Sequence, residues 1–217
     1  MSGDEKHKPT TVKTHIVLLV GVLAVLAWSG WKPYDRLTWW LETFPTMIGL
    51  VVLGATYRRF RFTTLCYVCI ALHMCLLCAG GHYTYAREPV FSWLKTHFHL
   101  QRNHFDRLGH FAQGFVPALI ARELFIRLRI FNRPRWMPFV IICVCLGISA
   151  SYEFIEWWTA LLSGSASTEF LATQGDVWDT QEDMFMALVG AVCALVFVSR
   201  WQDRQLARAE SRSTNAE

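Results

Sequence analysis

Apolar residues in this sequence are gathered into six long segments, separated by short connections in which most of the charged residues lie. A helix needs about 20 mostly apolar residues to cross the hydrocarbon core of a bilayer, and each segment is close to that length. The pattern therefore predicts an all-α, six-transmembrane-helix integral membrane bundle. The predicted spans are Thr14–Trp31, Leu37–Tyr57, Phe62–Gly81, Leu108–Ile126, Trp136–Leu162 and Asp183–Trp201.

The first and the fourth of these segments differ from the others. From Thr14 to Trp31 there is no Asp, Glu, Lys or Arg, and no small-residue cleavage site follows, so we interpret this segment as an uncleaved first span. The fourth segment is the weakest, because Arg122 and Glu123 interrupt its far end. The predicted organisation is an N-terminal tail over residues 1–13, a membrane domain over 14–201 and a C-terminal tail over 202–217.

Composition agrees with a membrane protein. Hydrophobic residues make up 53% of the chain and charged residues only 18%, against about 25% in soluble domains. The net charge of +4 would be compatible with nucleic-acid binding, but the basic residues lie in short segments between apolar runs. That distribution is typical of residues that set orientation in a bilayer, so a nucleic-acid partner is excluded.

The basic residues also predict the orientation. They concentrate in the two tails and in the second and fourth connections, which an even number of spans places on one side. Basic residues favour the cytoplasmic side, so both termini are predicted to be cytoplasmic. The residues concerned are Lys6, Lys8, Lys13, Arg58, Arg59, Arg61, Arg127, Arg129, Arg133, Arg135, Arg200, Arg204, Arg208 and Arg212.

Acids and histidines gather at the opposite, outer face. Asp106, His110 and Gln113 recur at intervals of four and three residues, so they share one stripe of the fourth helix. An acid at the centre of a membrane helix costs on the order of 2.5–3.5 kcal/mol, less toward the rim, so such groups normally turn toward partners or water. Two interpretations stay open, namely an interhelical hydrogen-bond network and a pocket that binds a metal ion or a polar head group.

The pocket interpretation assigns roles to particular residues. A carboxylate one turn from a histidine fixes its tautomer, as Asp106 would for His110. The candidate acid–base groups are His110, Glu153 and Glu156. The candidate ligands of a divalent metal are Asp106, His110, Glu153, Asp179 and Asp183. Further candidates for the pocket wall are His73, His82, Arg107 and Gln113.

Four cysteines follow the pattern C-x2-C-x5-C-x2-C within the third segment. This spacing resembles a zinc signature, but four thiolates on one helix cannot surround a tetrahedral ion. We therefore interpret these side chains as small apolar fillers. They are Cys66, Cys69, Cys75 and Cys78.

Four long motifs carry a resemblance to a known family. The stretches "GGHYTYAREP", "RNHFDRLGHFAQGF", "SYEFIEWW" and "GDVWDTQEDMFMALVGA" resemble the YjdF-type family of bacterial inner-membrane proteins, over nearly the whole chain. The resemblance implies a multi-pass protein of the bacterial inner membrane with no assigned activity. The stretch "DRLGHF" is also distantly similar to VanZ-like membrane proteins, which implies a link to the cell envelope.

Three functions follow as hypotheses. The first is an envelope enzyme or binding protein that acts on a membrane lipid head group with the help of a divalent metal. The second is a small-solute or proton-coupled transporter, in which Glu153 and His73 would form a path inward. The third is a structural membrane subunit without catalysis. A polar cluster confined to the rim favours the first hypothesis over the second.

Overall fold

A computed structural model of the chain describes residues 8–163 and 173–214, and within these ranges every regular element is helical. The all-α prediction is confirmed. Short 3-10 turns lie at Tyr85–Arg87 and Pro134–Trp136, and a π-helical segment, Ala194–Val198, joins the last two helices. The helices are α1 Lys8–Ser29, α2 Arg36–Thr56, α3 Thr64–Tyr83, α4 Pro89–His97, α5 Phe105–Arg127, α6 Met137–Ser163, α7 Asp179–Cys193 and α8 Ser199–Thr214.

Length and composition support five of the six predicted spans. The five are α1, α2, α3, α6 and α7 with its continuation into α8. Helix α5 has 23 residues, about 34 Å, and is long enough to cross a bilayer. Because charged side chains lie at both of its ends, α5 is not among the spans that length and composition identify.

Local sequence explains where several helices begin. The side chains of Asp35, Thr63 and Glu88 each accept a hydrogen bond from the backbone N–H three residues further on, at the first turns of α2, α3 and α4. Helix α4 lies in the long third connection, which contains no long apolar run. The predicted tails are partly helical too, because α1 begins at Lys8 and α8 continues to Thr214.

Helix α5 lies at the centre and packs against α3, α6 and α7, while α1 and α2 both pack on α3. The contact of α5 with α7 is the closest, because it is made by glycines. A Cβ atom on Gly114 would lie 1.8 Å from the carbonyl oxygen of Ala187, and one on Gly190 would lie 2.0 Å from the carbonyl oxygen of Phe111. Only glycine allows these two backbones to touch, so the middle parts of α5 and α7 are held side by side.

The two ends of the bundle differ in charge. At one end, here called the arginine-rich end, the α2–α3 connection carries Arg58, Arg59 and Arg61 and faces the end of α5. There Arg127 donates a hydrogen bond to the carbonyl of Arg61 (2.6 Å). The other end, here called the acidic end, contains the starts of α2, α5 and α7 and the ends of α1, α3 and α6.

The charges that weaken the fourth predicted span are satisfied inside the protein. Glu123 is fully buried and accepts hydrogen bonds from the N–H and hydroxyl of Thr63 (2.8 and 2.7 Å) and from Arg127 (3.1 Å). Arg122 donates to the amide oxygen of Gln202 (3.1 Å), and the side-chain NH2 group of Gln202 donates to the carbonyl of Leu119 on α5 (2.8 Å). These contacts join α3, α5 and α8, so neither charge faces lipid.

Candidate functional site

Several helices bring polar side chains together at the acidic end. Helix α5 contributes the stripe predicted from the sequence, because residues four and three apart share a helix face. The close α5–α7 contact and the packing of α6 on both helices then set the side chains of the three helices opposite one another. The residues that meet are Asp106, His110 and Gln113 from α5, Glu153 and Glu156 from α6, and Asp179 and Asp183 from α7.

His110 lies at the centre of this group, with only 4% of its surface exposed. Its Nδ1 is 3.1 Å from the amide oxygen of Gln113, which can only accept, so Nδ1 carries the proton and Nε2 has a free lone pair. That Nε2 lies 3.6 Å from a carboxylate oxygen of Asp106, 3.8 Å from one of Glu153 and 3.9 Å from one of Asp183. These distances are too long for hydrogen bonds.

Two overlapping sets of potential metal ligands share His110. Its ring and the carboxylates of Asp106 and Asp183 offer ligand atoms within 4.8 Å of one another, and so do His110, Glu153 and Glu156. The Oε1 atom of Glu153 is buried and has no hydrogen-bond partner in the part of the chain that the structure describes. A buried carboxylate oxygen without a partner is costly, and here it faces an imidazole lone pair.

Two arginines hold the start of α7 against α5. Arg107 pairs with Asp179 (3.1 Å) and Asp183, and also with Glu182 (2.7 Å) nearer the surface. Arg102 pairs with Asp179 (2.5 Å) and with Asp176 (3.0 Å). A hydrogen bond from the N–H of Trp178 and the guanidinium of Arg102 lower the pKa of Asp176.

These pairs separate two residues that the sequence treated alike. Asp183 has one oxygen toward Arg107 and the other toward His110, so it remains a candidate ligand. Asp179 is engaged by both arginines, and the structure does not bring it into the sets around His110. The guanidinium of Arg107 is likewise paired with acids, so it has no open position for a lipid phosphate.

Glu42, Tyr85 and Tyr152 belong to the same site, although they were not among the candidate site residues predicted from the sequence. Glu42 is 2% exposed at the start of α2, and its carboxylate accepts hydrogen bonds from the Tyr152 hydroxyl (3.1 Å) and from Tyr85. Burial, and next the charge of Glu42, raise the pKa of Tyr85 well above its ordinary value. An acid near the start of an otherwise apolar span was the available signal for Glu42.

Glycines make the space that Tyr85 occupies. A Cβ atom on Gly80 would lie 2.2 Å from its ring, and one on Gly109 would lie 2.8 Å away on the other side. The ring therefore fits between α3 and α5 only because both positions lack a side chain. The paired glycines of "GGHYTYAREP" were the sequence signal, but they do not reveal which ring they admit.

A cavity of about 980 Å³ begins at this cluster and runs along the bundle between α2, α3, α5 and α6. Its polar wall, at the acidic end, includes Glu42, Asp106, His110, Tyr152 and Glu156. On α5 the lining continues from Asp106 to Leu124, a distance of about 27 Å at 1.5 Å per residue. Beyond His73 and Gln113 the wall is almost entirely apolar. The lining residues there include Val52, Leu53, Phe60, Val116, Ile120 and Val144.

The structure separates two histidines of α3 that were predicted to share the pocket. His73 lines the cavity, and its Nε2 is buried without a hydrogen-bond partner among the described residues. His82 lies outside the cavity, with its ring 4.4 Å from that of Trp28 and its Nδ1 3.0 Å from the carbonyl of Ser29. Nine residues on a helix are two and a half turns, so His73 and His82 face opposite sides.

The histidines of the third connection do not join the cluster. His97 is exposed at the end of α4, where its ring stacks on Trp93, and His99 is exposed. His104 precedes α5 and is partly buried, and burial and then the charges of Arg102 and Arg107 lower its pKa.

The cysteines of α3 are not brought together as a set of potential metal ligands in the described ranges. All four are free, and in the described ranges no set of potential metal ligands includes a cysteine. Cys66 is fully buried, and its thiol lies 3.1 Å from a carboxylate oxygen of Glu123. Cys78 is also fully buried, as expected for a small filler.

The long apolar helices and their lipid-facing surfaces define a multi-pass integral membrane protein. Comparison with known families agrees, and the chain belongs to the family described as "Predicted membrane protein (DUF2238)", which matches residues 14–204. It is 45% identical over 201 residues to the inner membrane protein YjdF of Escherichia coli (strain K12), covering 93% of this chain and 95% of that protein. The family resemblance seen in the motifs is therefore confirmed, as is a multi-pass protein of the inner membrane.

The other comparisons add little. No solved structure matches the chain. The distant similarity to VanZ-like proteins is not shown by any of the comparisons.

Proposed function

We propose that this protein binds one divalent cation at His110 and uses it to hold the polar head group of an amphiphilic lipid, whose chain lies in the adjoining cavity. The observation that carries the proposal is the position of His110. Its free Nε2 faces three carboxylates at 3.6–3.9 Å, at the polar end of a long and otherwise apolar cavity. The proposed ligands are Asp106, His110, Glu153 and Asp183.

The spacing of these atoms fits a cation better than a hydrogen-bond network. Nitrogen and carboxylate ligands lie about 2.0–2.2 Å from Zn²⁺, so two ligands at a tetrahedral angle are about 3.4 Å apart. The separations of the His110 Nε2 from the three carboxylates are a few tenths of an ångström larger, within reach of small side-chain rotations. Because Nδ1 is committed to Gln113, His110 has one lone pair to offer and supports one ion.

Charge balance also supports a cation. Six carboxyl groups meet in or beside the cluster, and among the described residues two guanidinium groups are buried with them. An excess of buried negative charge is unfavourable unless protons or metal ions offset it. A divalent ion would offset two of the charges and give the buried Glu153 oxygen a partner. The acids are Glu42, Asp106, Glu153, Glu156, Asp179 and Asp183, and the cations are Arg102 and Arg107.

The cavity supports an amphiphile rather than a small polar solute. Its length of about 27 Å is close to the thickness of the hydrocarbon core, about 30 Å. Helices α2 and α6 flank it and are not among the helix pairs that pack closely, so a chain can enter from the side. Transport of a solute would need polar groups along the whole path, and beyond His73 and Gln113 the wall offers few.

Orientation and span number belong to the same proposal. We place α5 as a sixth span, with the acidic end at the periplasmic face and both termini in the cytoplasm. The buried polar partners of Arg122 and of Glu123 support this placement, because they remove the composition argument against α5. The arginines gathered at the opposite end support the orientation.

In this site a bound cation would supply a positive charge for an anionic head group such as a phosphate. Glu156 would lie beside the ion without being one of its ligands. Glu42, fixed by Tyr85 and Tyr152, would close the far side of the head-group space. Because Glu153 is a proposed ligand, Glu156, which lines the cavity, would be the group placed to exchange a proton with the bound head group.

Metal analysis of the purified protein tests the first half of the proposal. Protein stripped with a chelator and titrated with Zn²⁺ or Mn²⁺ should bind one equivalent. His110→Gln and Glu153→Gln should bind at least tenfold more weakly, since each removes a ligand. The matched control is Glu182→Gln, an acid of the same region that faces Arg107 at the surface. No uptake by the wild type, or an equal loss in the control, would refute the metal site.

Binding of a single-chain phosphate amphiphile tests the second half. Dodecyl phosphate should bind wild-type protein in nanodiscs only when the metal is present. Gly147→Leu should abolish this binding, because Gly147 lines the cavity and an added Cβ meets nothing within 4 Å. Metal uptake without any binding of dodecyl phosphate would support the metal site but refute the lipid as its ligand. Binding of dodecyl phosphate that depends neither on the metal nor on Gly147→Leu would refute the assignment of the cavity as the binding site.

A further inference from the structure

A second cavity lies on the other side of α2. It has a volume of about 450 Å³ and is bounded by α1, α2 and α3. We call it the α1–α2 groove. Helices α1 and α2 both pack on α3 but are not among the pairs that pack closely on each other, so the groove opens to the side. Its apolar wall includes Ile16, Leu19, Val22, Leu50, Leu53 and Met74.

The length of this groove matches one leaflet. Along α1 its lining runs from Val12 to Val22, about 15 Å at 1.5 Å per residue, which is half of a hydrocarbon core of about 30 Å. Two of its wall residues, Ile16 and Leu19, are 54% and 47% exposed in the absence of lipid. A lipid chain that enters from the arginine-rich end therefore fills the groove without crossing the midplane.

The groove ends in a polar cap at the arginine-rich end. His15 is 7% exposed, and its ring nitrogens lie 2.8 Å from the Tyr57 hydroxyl and 3.1 Å from the Thr64 hydroxyl. The guanidinium of Arg61 lies 4.6 Å from the centre of the Tyr57 ring. Lys13 and Arg58, both exposed, are sequence neighbours of this cap.

We infer that the α1–α2 groove is a binding site for one anionic phospholipid of the leaflet at the arginine-rich end, with an acyl chain against α1, α2 and α3 and the phosphate at Arg61. Charge complementarity selects this occupant. Arginine binds phosphate oxygens with directed hydrogen bonds, and basic residues close to a membrane surface favour anionic lipids. In the described ranges the three cations of this cap, Lys13, Arg58 and Arg61, make no ion pair with an acid within 4 Å. The inference is independent of the metal and of the large cavity.

Native mass spectrometry of delipidated full-length protein can measure this binding, with dioleoyl phosphatidylglycerol compared against dioleoyl phosphatidylcholine. The wild type should bind one phosphatidylglycerol at least tenfold more tightly than phosphatidylcholine. The double change Arg58→Gln and Arg61→Gln should weaken phosphatidylglycerol by about fivefold per arginine and leave phosphatidylcholine unchanged. Arg133→Gln with Arg135→Gln, exposed arginines of the α5–α6 connection, is the charge-matched control.

Filling the groove separates the chain from the head group. Gly54 lines this groove and not the large cavity, and a Cβ there meets nothing within 4 Å, so Gly54→Leu should remove tight binding of both lipids. Gly147→Leu fills the large cavity and should leave phosphatidylglycerol binding as in the wild type. Leu19→Trp blocks the opposite wall and provides a second test should Gly54→Leu not fold. Equal affinity for the two lipids in the wild type, or unchanged binding in both groove variants, would overturn the inference.

Discussion

The contact of Gly114 with α7 offers a sharp test, because it lies outside the proposed ligands yet controls where they sit. In Gly114→Ala the new Cβ atom would lie 1.8 Å from the carbonyl oxygen of Ala187. Contacts of Cβ atoms below 3.0 Å essentially do not occur, so the two backbones must separate by about 1.2 Å. Backbone atoms cannot rotate away as a side chain does.

This displacement acts directly on the candidate metal site. Asp183 lies on α7 one turn before Ala187, and its carboxylate is already 3.9 Å from His110 on α5. Metal sites tolerate deviations of about 0.2 Å in their ligand distances, so a shift of about 1.2 Å is several times too large. We expect Gly114→Ala to weaken Zn²⁺ binding at least 100-fold and to destabilise the protein by about 1–3 kcal/mol, the usual cost of overpacking.

The assay compares chelator competition and thermal unfolding in detergent for Gly114→Ala and a matched variant. Gly147→Ala is the control, because its Cβ meets nothing within 4 Å. We expect the control to match the wild type in both measurements, apart from a small gain in helix propensity. If both variants bind Zn²⁺ equally well, then either α5 and α7 are not in backbone contact or the ion is not shared between them.

Three further predictions concern other parts of the molecule. An alkaline phosphatase fusion after Gly175 should be active and one after Glu217 inactive, whereas activity at Glu217 would contradict the proposed orientation. Glu123→Gln should lower thermal stability by about 1–3 kcal/mol, because one buried acceptor oxygen and the ion pair with Arg127 are lost, whereas Asp203→Asn, which is half exposed, should change it little. Replacing the four cysteines of α3 by Ser should leave the amount of membrane-inserted protein and its bound metal near the wild-type values. A joint loss of zinc and protein would show that the thiols are ligands. The four are Cys66, Cys69, Cys75 and Cys78.

The hydrophobic pattern was sufficient to locate most of the long helices, because a membrane span has a fixed minimum length. Helix α5 shows the limit of that pattern, since Arg122 and Glu123 count against a span when composition is averaged. Their partners, Thr63 and Gln202, lie 60 and 80 residues away in the chain. Helix α4 shows another limit, because its nine residues are too few to give a long apolar run.

For the candidate site, helix periodicity predicted which side chains of one helix share a face, but it did not predict which side chains of different helices meet. The spacing of Asp106, His110 and Gln113 places them on one face, and the structure has them there. The same rule, applied to α3, separates His73 from His82, which the sequence analysis had listed together as candidates for the pocket wall. Nothing in the local sequence shows that Asp179 turns to the arginines while Asp183 turns to His110, because that choice depends on the rotation of α7 against α5.

The packing assigns different mechanical roles to the helices around the two cavities. Helices α5 and α7 touch through backbone atoms, so the residues around His110 are held by the most rigid contact in the described structure. Helix α2 packs closely only on α3 and borders both cavities. At Gly49, where a Cβ would lie 2.6 Å from the terminal methyl of Met74, the neighbour is the end of a flexible side chain and not backbone. Helices α5 and α7 thus form a rigid pair that fixes the polar groups, while α2 is loosely held and borders two lipid-sized spaces. This arrangement is expected when lipids must enter from the side and meet polar groups that are already in place.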